Sequence, residues 1–167
     1  YNETFGRAIL PTPTIGGVGL IDDFTIGATV AFKAEGSAIL LVGATQGWLG
    51  QSLYLRDVCG REEGAPPPVD LAVEKRNGDF VRGLIREKLE KTVHDVSDGG
   101  LAVALAEMAI ASGRIGAVLE MPPAGVPAHA YWFGEDQGRY VVVVPASAAD
   151  AVLSRAAEAG VFATRIG

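Results

Sequence analysis

The chain has 167 residues, 49% of them hydrophobic and 20% charged, with a mean hydropathy of +0.25 and a net charge of −6. That balance excludes an intrinsically disordered chain, which is poor in apolar side chains and rich in one sign of charge. Gly, Pro or a charge interrupts every apolar run before it reaches the ~20 residues of a membrane helix, so no membrane partner is expected. Lys and Arg alternate with Glu and Asp, as in Glu74-Lys75-Arg76 and Arg86-Glu87-Lys88, instead of forming the basic face that grips nucleic acid. The single cysteine, Cys59, and the two histidines leave no internal disulfide, no CxxC motif and no His-rich metal site, which suits a reducing cytosol. Asn2-Glu3-Thr4 fits a glycosylation sequon, but nothing secretory accompanies it, so it reads as chance. The chain opens on Tyr1 and closes on Gly167 behind the apolar run Val161 to Ile166, so both ends read as cut from something longer.

In chain order, residues 1–27 read as the tail of a preceding domain or a connecting arm. Pro11-Thr12-Pro13-Thr14 is expected to be extended, because each proline pushes its predecessor out of the helical region. Ile15 to Ile21 reads as a Gly-weakened strand. From residue 28 the pattern becomes regular and forms the main domain, 28–167. Ala28–Phe32 and Ala38–Val42 read as strands, and Leu49, Leu53, Tyr54 and Val58 fall at helical spacing. Arg61–Pro68 is a charged, Pro-rich loop that faces water or a neighbouring domain. Asp70 is placed to cap a long helix through Val73, Val81, Ile85 and Leu89, with Asn77-Gly78 as its weak point. A short strand, Thr92–His94, and a tight turn, Asp95–Gly100, lead to an Ala-rich helix, Leu101–Ser112. Ser97 or Asp98 is available as its N-cap and Gly113 as its stop. A strand at Ala117–Met121, a Pro-rich loop, a strong strand at Arg139–Val144, a helix at Ala146–Ala159 and a last strand complete the chain. Strands and helices do not alternate strictly, so the fold is α+β, a mixed β-sheet with helices packed on it.

Three segments could carry chemistry. Gly43 to Ser52 lies between a buried strand and a helix. Backbone N–H groups at Gly47 and Gly50 there can face an anion, with hydroxyls from Thr45 and Ser52. The spacing fits neither the P-loop nor the dinucleotide fingerprint, and a plain tight turn fits equally well. His94-Asp95-Val96-Ser97-Asp98-Gly99-Gly100 sets an acidic residue at a strand end and a Gly-Gly step before a helix. Asp95 offers hard oxygen to Mg²⁺, which takes one or two carboxylates plus phosphate oxygens, while Ser97, Gly99 and Gly100 face the phosphates. Simple helix capping is the competing explanation. His94 reads as a packed strand residue, since nothing nearby in sequence orients it. Glu135-Asp136-Gln137 presents two carboxylates and an amide at a strand entrance, where an ordinary polar turn would look the same. Cys59 lacks a neighbouring base and reads as an idle or buried thiol.

Taken together and in order, these segments, with Tyr1 to Thr4, Ile9 to Gly19 and Gly60 to Asp70, resemble the C-terminal part of the synthetase component of phosphoribosylformylglycinamidine synthase. That family is akin to aminoimidazole ribonucleotide synthetase and has two pseudo-repeats, each an N-terminal domain followed by an α/β C-terminal domain. The resemblance implies the last strand of a second N-terminal domain, followed by the second C-terminal domain, truncated at its end. It implies an ATP- and Mg²⁺-dependent ligase of purine biosynthesis that phosphorylates the amide oxygen of formylglycinamide ribonucleotide. Ammonia then displaces phosphate. The implied partners are the missing N-terminal domains, a glutaminase subunit and a small accessory subunit, in the cytoplasm. Asp95 is similar to a family aspartate that binds Mg²⁺, and Ser97 to a serine at the phosphates of ATP or ADP. Glu135, Asp136 and Gln137 match the place where the first repeat carries Glu-Ser-Gln at the substrate, with Asp136 departing from that pattern. The family's catalytic histidine lies in the first repeat, so the isolated chain is expected to contain no catalytic residue and to be inactive. A non-catalytic nucleotide-binding or structural module is the alternative, as is a sibling such as selenophosphate synthetase or thiamin-phosphate kinase.

Overall fold

The structure is a computed structural model that describes residues 3–9, 14–89 and 92–167. The sequon residue Asn2 and the Pro11-Thr12-Pro13 stretch lie outside them. A two-residue-strand hairpin, β1 (Glu3–Thr4) with β2 (Arg7–Ala8), opens the chain. The expected strand at Ile15–Ile21 does not form: residues 14–21 have no regular structure, and their apolar side chains point to solvent. Three glycines in that stretch offer no side chain to pack, which weakens any strand.

The remainder is built on one four-stranded sheet in the order β4-β5-β3-β6, where β3 is Ser37–Val42, β4 Val93–Asp95, β5 Tyr140–Pro145 and β6 Ala163–Arg165. All three strand pairs are antiparallel. The parallel component is a single bridge, Thr29 to Thr92, which is all that forms of the expected strand at Ala28–Phe32. Because β5 separates β3 from β4, and β3 separates β5 from β6, the units β3-α1-β4 and β5-α4-β6, in which α1 is Leu71–Arg86 and α4 Ala149–Glu158, are two interleaved split β-α-β units.

Both sheet faces are covered, which explains why β3 and β5 read as unbroken apolar runs. Ile39, Leu41, Val141 and Val143 face α2 (Gly100–Ser112) and α3 (Ala128–Phe133), meeting Leu101, Leu105, Met108 and Tyr131. Leu40, Val42, Val142 and Val144 face α1 (Leu71–Arg86) and α4 (Ala149–Glu158), meeting Val81, Leu84, Val152 and Ala156. The register Ile39↔Val143 and Leu40↔Val142 keeps opposed residues on the same face.

Helix α1 starts as expected: the Asp70 carboxylate accepts from the Ala72 and Val73 amides. Asn77 is not a weak point, since its buried side chain donates to the Gly138 carbonyl at 2.9 Å. Four expectations are corrected. Leu49–Val58 forms only a π-helical turn at Tyr54–Val58, because the preceding glycine loop gives its Gly47 and Trp48 amides to Asp136 instead of to a helix. Helix α2 is entered through Gly99 in the left-handed region, with no side-chain cap from Ser97 or Asp98. Ala117–Met121 forms no strand and touches the sheet through Glu120 N donating to Ile166 O at 2.8 Å. The loop that follows contains α3, six residues long, whose apolar face Ala130 and Tyr131 bury.

Candidate functional site

Three loops far apart in sequence meet at one end of the sheet: Gly43–Ser52, Val96–Gly100 and Gly134–Gly138. Their meeting depends on close backbone approach. A Cβ on Gly100, which has φ +73°, would stand 2.6 Å from the Gly134 carbonyl oxygen; one on Gly47 would stand 2.8 Å from the Ala130 Cβ. Glycine is required at both points because no side chain fits.

Two carboxylates tie the loops. Glu135 Oε1 accepts from the Leu53 amide and from the Gly99 amide, each at 2.8 Å. Asp136, 8% exposed, accepts from Gly47 N through Oδ2 at 2.9 Å and from Trp48 N through Oδ1 at 3.3 Å. In return Glu135 N donates to the Trp48 carbonyl at 2.8 Å. An anion therefore already stands at the start of α2 and on the glycine loop, and it is the chain's own.

The residue that joins these parts is Arg139, 1% exposed. Its Nε donates to the Asp136 carbonyl at 3.1 Å, its Nη1 to Thr45 Oγ1 at 3.1 Å and its Nη2 to the Gly134 carbonyl at 2.6 Å. Nη1 also lies 3.8 Å from Asp136 Oδ2. Burial lowers the Arg139 pKa below the usual guanidinium value, opposed by the nearby Asp136. Arginine keeps its charge under such a shift. Sequence reading passed over Arg139 as the first residue of a strand; its signal is a cation directly ahead of the wholly apolar run Tyr140–Val144.

The other sequence-derived site residues divide by exposure. Ser52 is buried, donating to the Leu49 carbonyl at 2.6 Å and accepting from Leu55 N. Gly50 backs onto the Pro-rich loop, where a Cβ would meet Ala65 O at 2.2 Å. Gln137 is exposed, and its amide donates to the Glu135 carbonyl at 3.3 Å. With Gln46, Pro68, Asp70 and Glu74 it lines a cleft of about 220 Å³. Beyond the loop, Ser52 borders a second cleft of about 250 Å³ with Arg56 and Arg61. Arg56 pairs with Asp57 at 2.7 Å and Arg61 with Glu63.

Asp95 and Ser97 are exposed, at the end of β4 and in the turn before α2. Asp95 lies 3.4 Å from His94 Nδ1 and is otherwise open. His94 does have an orienting partner, thirteen residues away: its Nε2 stands 3.0 Å from Glu107 Oε2 on α2. Helix geometry brings Glu107 there, so spacing along the strand could not reveal it. Among the described residues no group of three His, Cys, Asp or Glu is placed to hold a metal. Cys59 is an exposed free thiol. Among the described residues no helix is long and apolar enough to cross a membrane.

Residues 34–167 match the family described as AIR synthase related protein, C-terminal domain. The chain belongs to that family. Over all 167 residues it is 69% identical to the phosphoribosylformylglycinamidine synthase subunit PurL of Rhodopseudomonas palustris strain HaA2, and equally to that of Bradyrhizobium sp. strain BTAi1. It spans 23% of the length of each. Among solved structures it is similar to Thermotoga maritima PurL complexed with FGAR, with a TM-score of 0.70 and 19% identity over 85% of this chain and 25% of that one. T. maritima PurL complexed with ATP gives 0.66 and 18% over 85% of this chain and 23% of that one. These likenesses show the AIR synthase related C-terminal fold.

Proposed function

We propose that the chain is the C-terminal α/β part of an ATP-dependent carbon–nitrogen ligase of purine biosynthesis, acting in the cytoplasm. The observation that supports this is its 69% identity, along its whole length, to PurL subunits. In this reading the full enzyme moves the terminal phosphoryl group of ATP onto the amide oxygen of formylglycinamide ribonucleotide. Ammonia then adds at that carbon, and inorganic phosphate leaves to give the amidine. Residues 1–27 are the tail of a preceding domain and its connecting arm, and 28–167 is the C-terminal domain of a second pseudo-repeat. The preceding domains of the same chain, a glutaminase subunit and a small accessory subunit are the proposed partners.

Asp95 fits Mg²⁺ as a single open carboxylate, because that ion takes few protein oxygens when phosphate and water supply the rest. Bound there, Mg²⁺ neutralises phosphate charge. The Gly99 and Gly100 amides are taken up by Glu135 and the Ser97 carbonyl, which leaves Ser97, exposed in the turn before α2, together with Arg56 and Arg61, which border the cleft beside Ser52. These residues bind and orient a nucleotide. Glu135 and Asp136 hold the loops in place, which departs from a substrate-contacting role. Thr45, Gly47, Gly50 and Ser52 then shape the loop from within.

The test is calorimetric binding of ADP with Mg²⁺ to the full-length polypeptide. Asp95→Asn and Ser97→Ala are each expected to weaken it by about tenfold. Unchanged binding in both variants sinks the nucleotide site. A second reading, a structural module without a catalytic role, draws on the self-satisfied loops at Glu135 and Asp136. It predicts that Asp95→Ala lowers thermal stability and leaves turnover intact.

A further inference from the structure

Behind the Gly43–Thr45 loop, on the α2–α3 side of the sheet, lies a separate cavity of about 280 Å³ between β6 and the Glu120–Pro123 segment. Its floor is apolar, from Leu41 and Ile166, and Met121 and Phe162 flank it with 87% and 60% of their surfaces exposed. Exposed large apolar side chains around a concavity mark surface that gains by being covered.

Three polar groups of the lining are not engaged in an ion pair or side-chain hydrogen bond with another described side chain. Tyr131 is 95% buried, since only 5% of it is exposed, yet among the described residues its hydroxyl makes no hydrogen bond. It lines the cavity, and burial raises its pKa, with Arg139 opposing the rise and Glu120 adding a smaller push upward. The phenol therefore stays protonated and can donate. Glu120 and Arg165 also line the cavity, and among the described residues neither enters an ion pair; Arg165 Nε only donates to the Gly167 carbonyl at 3.0 Å. A carboxylate and a guanidinium, both exposed to water, thus stand on one small, apolar-floored cavity.

A ligand that complements all of this carries a cation, an anion and a short apolar body. We propose that the cavity is a binding site for a zwitterionic α-amino acid with an apolar side chain. Its ammonium group pairs with Glu120, its carboxylate with Arg165, and its side chain lies on Leu41 and Ile166. The size agrees: about 280 Å³ is just under the ~300–1,000 Å³ of sites for drug-sized ligands. Arginine suits the carboxylate because its planar fork matches it with two parallel bonds. This site shares only Ala44 and Thr45 with the glycine loop and does not depend on the proposed nucleotide site.

The experiment is isothermal titration of the full-length polypeptide with L-leucine and L-phenylalanine, set against N-acetyl-leucine and leucine methyl ester, each of which lacks one charge. Saturable binding of a free amino acid is expected, weakened about tenfold or more in both derivatives and in Glu120→Gln and Arg165→Gln. Both substituted side chains are exposed, so the fold is retained, and thermal melting checks it. Tyr131→Phe, which keeps the ring, is expected to weaken binding by about threefold. No binding to the full-length polypeptide, as when another part of the chain fills the cavity, overturns the proposal. So does equal affinity for leucine and its methyl ester.

Discussion

Arg139 and Asp136, three residues apart, are joined twice: the guanidinium donates to the Asp136 carbonyl at 3.1 Å and stands 3.8 Å from its carboxylate. The same carboxylate holds the Gly47 and Trp48 amides, and the same guanidinium reaches Thr45. One short turn therefore fixes the shape of a loop about ninety residues earlier.

Arg139→Met removes the cation and leaves Asp136 as a buried, unbalanced charge. It is expected to destabilise the protein by about 3–5 kcal/mol, read from the denaturant midpoint. Arg139→Lys recovers little of this, because a point charge cannot serve Thr45, Gly134 and Asp136 at once.

Glu135→Ala strips the acceptor from the Leu53 and Gly99 amides together. A loss of about 2–3 kcal/mol is expected, with Glu135→Gln recovering part of it through its amide oxygen. Faster hydrogen exchange at both amides is the local readout. Unchanged exchange there would show that Glu135 does not hold the junction.

Gly100 and Gly113 bracket α2, both with positive φ, at +73° and +76°. An alanine at Gly113 meets open space and bears only the conformational cost, about 1 kcal/mol. At Gly100 it also collides with the Gly134 carbonyl, so Gly100→Ala is expected to cost at least about 2 kcal/mol more. Equal melting temperatures for the two variants contradict the close approach.

Tyr131 and Tyr140 have pKa values raised above 10.0, in each case first by burial. The folded state thus keeps protons that the unfolded state releases. Their contribution to stability is complete below pH 10 and is lost as pH rises through the folded values. Melting temperature should fall more steeply above pH 10 in the wild type than in Tyr131→Phe or Tyr140→Phe.

Much of the fold was legible. The runs Ala38–Val42 and Arg139–Val144, the Asp70 cap and the Gly113 stop correspond to β3, β5 and the ends of α1 and α2. Residues 28–32 looked as strand-like as 38–42, but only Thr29 forms a β-bridge, at the sheet margin with Thr92. Helix α3 was hidden because Pro122-Pro123 and Pro127 advertise a loop, and Pro127 is in fact its N-cap. The three site segments were each visible but ambiguous, and Glu107 and Arg139 were missed.

By itself the sequence determined what depends on neighbours a few positions away. Side-chain alternation made β3 and β5 strands buried on both faces, while Asp70, within three residues of the amides it accepts from, set the start of α1 and Gly113 the end of α2. Only the tertiary structure decided the site. Whether a glycine-loop amide faces a ligand or a carboxylate depends on a partner 82 to 89 residues away, as Leu53 with Glu135 and Gly47 with Asp136 show. Such a partner is chosen by how the helices and strands pack, and no local pattern of residues records it.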